Sequence, residues 1–312
     1  MAVYAAIDIG TNTLRLIVAE AVSADHYTVL HEEQTIGRLG EGLLPSRLLQ
    51  DTPMRRCLKV LKRFGETACR FKARHVAAVA TSAVREASNR EEFVAAALRE
   101  SGLNIRVIDG NEEARLTLLG VRRGLRVGSR RVLVLDIGGG STEFVLARGE
   151  TIEAMVSTGL GVVKLTEAHL KSDPPTPDEL EAIEQVVADR AGRLRTELPD
   201  LNGATLIATA GTPTTLAAMD LGLTVYSPAR VNGHRLSMTR TRQLFQALVT
   251  RPLAERRECP SVEPGRADVM VAGTALLLTV MGVLAYDEFT ASDSGLREGV
   301  LLDLIRQQAA QD

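Results

Sequence analysis

Cysteine is scarce in this chain: Cys57, Cys69 and Cys259 make an odd number without the spacing of metal ligands. A disulfide framework, a cysteine-based zinc site and a thiol nucleophile are therefore not expected, and the thiols read as idle in a reducing cytoplasm. Histidine is equally thin, with five residues scattered along 312, which argues against zinc held by imidazoles. Excess charge of one sign is missing as well. A formal net charge of −2 argues against a dedicated nucleic-acid binder. Long hydrophobic runs are nearly absent. The one uncharged stretch, Val269 to Ala285, only reaches the lower limit of about 17 residues for a membrane span. Gly273, Thr274, Thr279 and Gly282 dilute it, and Arg266, Asp268, Asp287 and Glu288 bracket it, so it reads as a buried core helix. The N-terminus enters an apolar strand pattern directly, and no secretory signal peptide is expected.

What the chain does have is one signature, twice. Asp8-Ile9-Gly10-Thr11-Asn12-Thr13 recurs as Asp136-Ile137-Gly138-Gly139-Gly140-Ser141-Thr142-Glu143. Each copy lies between two apolar, β-rich runs, so each predicts a hairpin whose tip exposes backbone N–H groups. Such a nest binds phosphate oxygens, and its Asp can hold a hydrated divalent cation. One Asp-x-Gly turn would mean little, since such turns are common. A pair in matching context implies a phosphate clamped from both sides of a cleft.

The surrounding pattern supports a duplication. Strands are predicted at Tyr4 to Ile7, Leu14 to Glu20 and Tyr27 to Thr35, then a helix over Pro53 to Phe71 capped by Asp51 or Thr52. Met54, Leu58, Leu61, Ala68 and Phe71 supply its apolar face. Strands at Val76 to Ala80 and Ile105 to Ile108 follow, and Asn111-Glu112-Glu113 opens another helix. From Arg131 the order repeats, with strands through Ile152 to Val156 and Thr205 to Thr209 and a helix over Pro177 to Leu198. Three antiparallel strands followed by alternating helix and strand, twice, define an α/β chain of two ribonuclease-H-like domains. The length of 312 residues is ample for both cores. Gly124 and Gly128 interrupt the helical pattern. The boundary is therefore expected at 124/125, giving domains 1–124 and 125–312, with the C-terminal helix able to pack back on the first.

On these residues the chain resembles the exopolyphosphatase/guanosine pentaphosphate phosphatase (Ppx/GppA) family, within the actin, sugar-kinase and Hsp70 superfamily. The resemblance covers both loops, Arg38-Leu39-Gly40-Glu41-Gly42, Ala80 to Ala87, Gly110-Asn111-Glu112-Glu113-Ala114-Arg115-Leu116, Ala210-Gly211-Thr212, Arg266-Ala267-Asp268 and Ser294 to Gly299. It implies an actin-like ATPase fold with an interdomain active-site cleft. The implied activity is phosphohydrolysis with Mg²⁺ as cofactor, releasing orthophosphate from the end of inorganic polyphosphate, or from guanosine pentaphosphate at its 5′ end. A superfamily kinase and a non-catalytic sensor of guanosine tetraphosphate or polyphosphate are the rival classes. The intact set Asp8, Glu113, Asp136 and Glu143 argues against the sensor. Longer relatives carry an additional helical region that this sequence lacks. No nucleic-acid or membrane partner is implied, and a homodimer is left open.

Terminal phosphoanhydride hydrolysis needs neutralised charge, a positioned water and in-line geometry. Glu112 and Glu113 both stand in a first helical turn, where carboxylates are favoured anyway, and sequence physics does not choose between them. The resemblance assigns water positioning to Glu113. Asp8, Asp136 and Glu143 are the candidates for Mg²⁺. Gly10, Thr11, Asn12, Thr13, Gly138, Gly139, Gly140, Ser141 and Thr142 are the candidates for phosphate contacts, with Arg85 as a bidentate ligand by family match and Gly211 and Thr212 lining the second wall. Arg38 is a weaker candidate of the same kind, and for Arg266 and Arg297 helix-end salt bridges serve equally well. Ala210 stands where the family frequently has Gly, in the loop that faces a nucleotide in superfamily kinases. Arg115 to Arg131 holds six arginines and no acidic residue. That stretch reads as a solvated helix face or as a track for a polyanionic chain.

Overall fold

The computed structural model describes residues 2–310. Among the described residues there are eleven strands: β1 (Val3–Ile9), β2 (Thr13–Ser23), β3 (His26–Ile36), β4 (His75–Ala80), β5 (Ile105–Val107), β6 (Arg131–Ile137), β7 (Thr142–Arg148), β8 (Thr151–Thr158), β9 (Thr205–Thr209), β10 (Arg235–Ser237) and β11 (Glu288–Ser292). Helices α1 (Asp51–Arg70), α2 (Ser82–Glu86), α3 (Arg90–Ser101) and α4 (Gly110–Leu125) lie in the first half. The second half holds α5 (Val162–His169), α6 (Pro177–Glu197), α7 (Gly211–Asp220), α8 (Pro228–Val231), α9 (Met238–Val249), α10 (Leu253–Arg257), α11 (Met270–Val283) and α12 (Leu296–Ala309). The fold is compact as two units. One runs from the N-terminus to Gly120 and resumes at Gly295; the other is Val121–Ser294.

Both units follow one plan. The first sheet has the order β3-β2-β1-β4-β5, and the second, read in the same sense, β8-β7-β6-β9-β11-β10. In each, the central strand is antiparallel to the hairpin partner that follows it and parallel to the next strand on its other side. That is the ribonuclease-H-like arrangement in each unit. β10 is an added antiparallel edge on the second sheet. The central strands read as unbroken apolar runs because both of their faces are buried: Ala5, Ala6 and Ile7 in one, Leu133, Val134 and Leu135 in the other, are all buried.

Local sequence explains the layers. α1 turns Met54, Cys57, Leu58, Leu61, Phe64 and Ala68 onto the first sheet at helical spacing. Its N-cap is Gln50, so Asp51, expected as the cap, lies inside the first turn, where its charge complements the helix dipole. The uncharged stretch near residue 270 is α11, buried in the core of the second unit. Among the described residues no helix is long and apolar enough to cross a membrane.

The boundary expected at 124/125 falls inside α4, which runs unbroken to Leu125. Gly124 does not break the helix; a Cβ there would lie 2.4 Å from the Ser294 hydroxyl oxygen. One turn earlier, a Cβ at Gly120 would lie 2.0 Å from the Gly295 carbonyl oxygen. These glycines let α4 meet the backbone that opens α12. α12 is held there by burial of Leu296, Val300, Leu301 and Ile305 against Tyr4, Ala6, Ile17 and Val79. The start of α12 is a closed polar unit. Gly295 N donates to Glu298 Oε2 at 2.8 Å, and Arg297 Nε donates to Glu298 Oε1 at 2.7 Å. Burial works to raise the Glu298 carboxyl, but Arg297 and the Gly295 amide outweigh it and hold it below the usual carboxylate range.

Gly120→Ala should destabilise the protein by roughly 1–3 kcal/mol, because the obstructing atoms are backbone and cannot swing away. Gly192→Ala, in α6 with nothing within 4 Å of its Cβ position, should be neutral or stabilising by up to about 1 kcal/mol. Thermal unfolding of both variants measures the contrast; equal midpoints would show that the α4–α12 approach is not close-packed.

Candidate functional site

The two hairpin tips have the same internal geometry. Gly10 N donates to Thr13 O at 3.0 Å, and Gly138 N donates to Ser141 O at 2.9 Å. Each tip is also braced from outside through its carbonyls. In the first unit Gly37 N and Arg38 N both donate to Asn12 O, at 3.0 and 2.9 Å, and Gly40 N donates to Thr11 O at 2.9 Å. In the second unit the opening amides of α5 do this work, Val162 N to Gly138 O at 3.0 Å and Val163 N to Gly139 O at 2.9 Å. A trans peptide points its N–H opposite its C=O. Bracing the carbonyls therefore fixes the direction of the amides that follow them. The bracing loop is itself clamped: Arg56 on α1 donates to Gly37 O at 2.6 Å and pairs with Glu41 at 2.7 Å. Arg38, a phosphate candidate from sequence, sits at φ 51° and contributes its backbone to the brace. These braces are invisible in the motif itself.

The carboxylates divide between the units. Asp8 is buried at the end of β1, directly across from Arg15 on β2. Asp136, 8% exposed, occupies the equivalent place on β6, but its cross-strand partner is Glu143, 0% exposed. Opposed carboxylates on one sheet face repel. A cation beside that pair would relieve the repulsion, and Ser157 Oγ donates to Glu143 Oε1 at 2.8 Å, fixing its orientation. Among the described residues no three His, Cys, Asp or Glu side chains are grouped to hold a metal ion. Mg²⁺ characteristically takes one or two carboxylates and keeps several waters, so the opposed pair suits it. The Thr142 hydroxyl is buried and donates to Leu160 O at 2.5 Å, tying the tip to the segment before α5.

Glu112 and Glu113, indistinguishable in sequence, part company in the structure. The start of α4 is capped by Asp109, whose Oδ1 accepts from Glu112 N at 2.8 Å. Glu112 faces outward into ion pairs with Arg115 at 2.8 Å and Arg106 at 3.2 Å. The hydrogen bond from Arg115 is the main cause holding its carboxyl below the usual range. Glu113 points inward at 6% exposure, and Arg85 from α2 pairs with its Oε2 at 2.8 Å. The same Nη1 donates to Ile108 O at 2.9 Å. Capping and surface pairing are thus taken by Asp109 and Glu112, and Glu113 is left with an inward role.

At the other candidate wall, α7 begins at Gly211, and a Cβ there would lie 1.6 Å from Arg266 Nη1. The buried Arg266 guanidinium is therefore stacked on the first turn of α7, beside Gly211 and Thr212, with Glu263 at 3.5 Å. Arg297 is engaged by Glu298 and by Glu32 at 2.6 Å. Ala210 precedes α7 at φ 73°, ψ −165°, a region that essentially only glycine occupies. In the arginine-rich stretch, Arg115 pairs with Asp303 at 2.9 Å, Arg122 with Glu150 at 3.3 Å and Arg131 with Glu153 at 2.6 Å. Acidic partners distant in sequence neutralise these three, so the stretch is neither a bare solvated face nor a continuous cationic track.

Comparison with known proteins agrees with this fold. A family model described as the Ppx/GppA phosphatase family matches residues 17–308. Exopolyphosphatase 2 of Mycobacterium tuberculosis is 32% identical over 314 residues, covering 96% of this chain and 98% of the relative. The crystal structure of the Aquifex aeolicus Ppx/GppA family member superimposes with a TM-score of 0.82 at 32% identity, covering 98% of both chains. An exopolyphosphatase structure from Cytophaga hutchinsonii gives a TM-score of 0.89 at 28% identity, again over 98% of both chains.

The backbone at Ala210 generates a stability prediction. Ala210→Gly relieves a strain of about 1–3 kcal/mol, against a glycine entropy cost of about 0.5–1 kcal/mol. The expected net gain of about 1 kcal/mol should raise the unfolding midpoint by roughly 2–4 °C. A midpoint that falls would show that the Ala210 conformation is unstrained.

Proposed function

The chain belongs to the Ppx/GppA phosphatase family, and from that premise we propose that it is an exopolyphosphatase, cleaving the terminal phosphoanhydride of inorganic polyphosphate to release orthophosphate. It is a phosphoanhydride hydrolase; the finer choice is the substrate. The observation that carries polyphosphate is the full-length match to exopolyphosphatase 2, at 32% identity. Ala210 supports it, since its Cβ stands in the loop that faces the nucleotide in superfamily kinases and would crowd one. Guanosine pentaphosphate, with the same terminal anhydride, is the second reading.

In this reading the amides of each braced tip, Gly10 to Thr13 and Gly138 to Ser141, are donors to phosphate oxygens. Mg²⁺, when bound, supplies charge neutralisation on the phosphate oxygens. Asp136 and Glu143, opposed on one sheet face, would hold it, and Asp8 is the further carboxylate candidate. Glu113 accepts hydrogen bonds from the attacking water and takes its proton as the P–O bond forms. Phosphate leaves, and the shortened chain carries the leaving oxygen.

Phosphate release from long polyphosphate, short polyphosphate and guanosine pentaphosphate, each with and without Mg²⁺, is the deciding measurement. Fastest Mg²⁺-dependent release from polyphosphate is expected; release confined to guanosine pentaphosphate would establish the second reading instead. Glu113→Gln should cut turnover by about 10²–10⁴-fold with substrate binding retained. Glu112→Gln should change it little, because Glu112 faces Arg106 and Arg115. Reversed effects would move the base to Glu112. Asp136→Asn should raise the Mg²⁺ concentration for half-maximal rate, by more than Asp8→Asn, since Asp136 opposes a second carboxylate and Asp8 opposes Arg15. An unchanged metal requirement in both variants would remove these residues from cation binding.

A further inference from the structure

Arg85 entered as a phosphate ligand, yet the structure gives one of its nitrogens to the protein. Nη1 is shared between Ile108 O, at 2.9 Å, and Glu113 Oε2, at 2.8 Å. Three segments meet at that atom: α2, the residue that follows β5, and the first turn of α4. The anchorage of Arg85 is firm, since its own amide donates to Thr81 O at 2.9 Å at the end of β4. Nε and Nη2 make no hydrogen bond among the described residues, and the side chain keeps 22% exposure. A guanidinium is a planar fork, so fixing Nη1 on two acceptors also fixes the plane and direction of the Nε/Nη2 edge. That edge has the geometry for two phosphate oxygens.

We propose that Arg85 is a positioning residue for hydrolysis: its inner nitrogen sets the orientation of the Glu113 carboxylate while its outer edge receives the terminal phosphate. One rigid side chain would then fix both the base and the phosphorus that the water attacks. This rests on Glu113 as the water-positioning residue. With Oε2 pinned, rotation of the carboxylate about its terminal torsion is restricted, and the direction of Oε1 is set. Misplacement of a reacting group by about 1 Å can cost about 100-fold in rate, so such fixing matters. A lysine keeps the charge but not the fork, because a single ammonium cannot hold Ile108 O and Glu113 and still present a second edge.

The test is a double-mutant cycle on the full chain, with phosphate release from long polyphosphate as readout. Arg85→Lys should lower kcat by about 10- to 100-fold in the wild-type background. In the Glu113→Gln background the same change should lower the residual kcat less than about 3-fold, because the group it orients is already disabled. KM should rise to a similar extent in both backgrounds, reporting the outer edge. Equal kcat losses in both backgrounds, or a KM effect alone, would make Arg85 a phosphate ligand only and overturn the proposal. A crystal structure of Arg85→Gln, with its unfolding midpoint, decides the matter without turnover. A rotated Glu113 carboxylate supports positioning, and an unmoved one overturns it. If the wild-type chain released phosphate from neither polyphosphate nor guanosine pentaphosphate, the functional reading would fail, and the Glu113 orientation in that crystal would still decide the role of Arg85.

Discussion

A buried peptide carbonyl must find a donor, and at both hairpin tips this requirement organises the surroundings. The carbonyls of Thr11 and Asn12 are met by the amides of Gly37, Arg38 and Gly40, and those of Gly138 and Gly139 by the amides of Val162 and Val163. The donors differ in kind, an irregular loop in one unit and a helix N-terminus in the other, but the consequence is the same. Each tip is fixed through its carbonyls before any ligand arrives. The cost of this arrangement is visible around the first tip, where Arg38 adopts φ 51° and Arg56 is drawn off α1 to hold the loop carbonyls. Preorganised donors are what phosphoryl transfer asks of a protein, since the chemistry is chiefly positioning and charge stabilisation.

Much of this was legible in the sequence, and the reason is repetition. Alternating apolar runs around two Asp/Gly turns fix two hairpins, and the recurrence of strand and helix order fixes a duplicated sheet. The polar architecture was readable at the hairpin tips, where Gly10 and Gly138 open turns closed by Thr13 and Ser141. It was unreadable where the partner is distant in sequence. Nothing near Glu113 announces Arg85, 28 residues earlier, and nothing near Arg131 announces Glu153. Thr142 shows the same dependence on a distant partner. Its position in the motif matches a ligand, but its hydroxyl is claimed by Leu160, 18 residues on. Gly124 misled because a helix glycine reads as a breaker until the neighbour it admits, Ser294, is known.

Duplication followed by divergence explains the unequal electrostatics of the two tips. Asp8 and Asp136 are equivalent by strand register, and so are Arg15 and Glu143. In the first unit the cross-strand residues are of opposite sign, and Arg15 donates onward to Gln34 at 3.1 Å. In the second they are of like sign and buried, so they repel unless hydrogen bonds, a shared proton or a cation offset the charge. A single exchange of sign at one register position thus gives two equivalent hairpins unlike electrostatics.

The same comparison applies to the helices that follow the two outer parallel strands. α4 succeeds β5 and α12 succeeds β11, and each carries a buried glutamate in its first turn, Glu113 and Glu298. Glu298 is closed on itself: the amide of Gly295 takes one oxygen and the neighbouring Arg297 the other, so the carboxylate is consumed in starting its own helix. Glu113 is relieved of that duty by Asp109, which caps α4 in its place, and is gripped from outside the helix by Arg85. Burial alone therefore does not distinguish the two glutamates. What separates them is the origin of the partners. A carboxylate satisfied by its own turn is fixed once the helix forms, whereas one gripped by a cation from another segment is fixed only when the two segments have packed together.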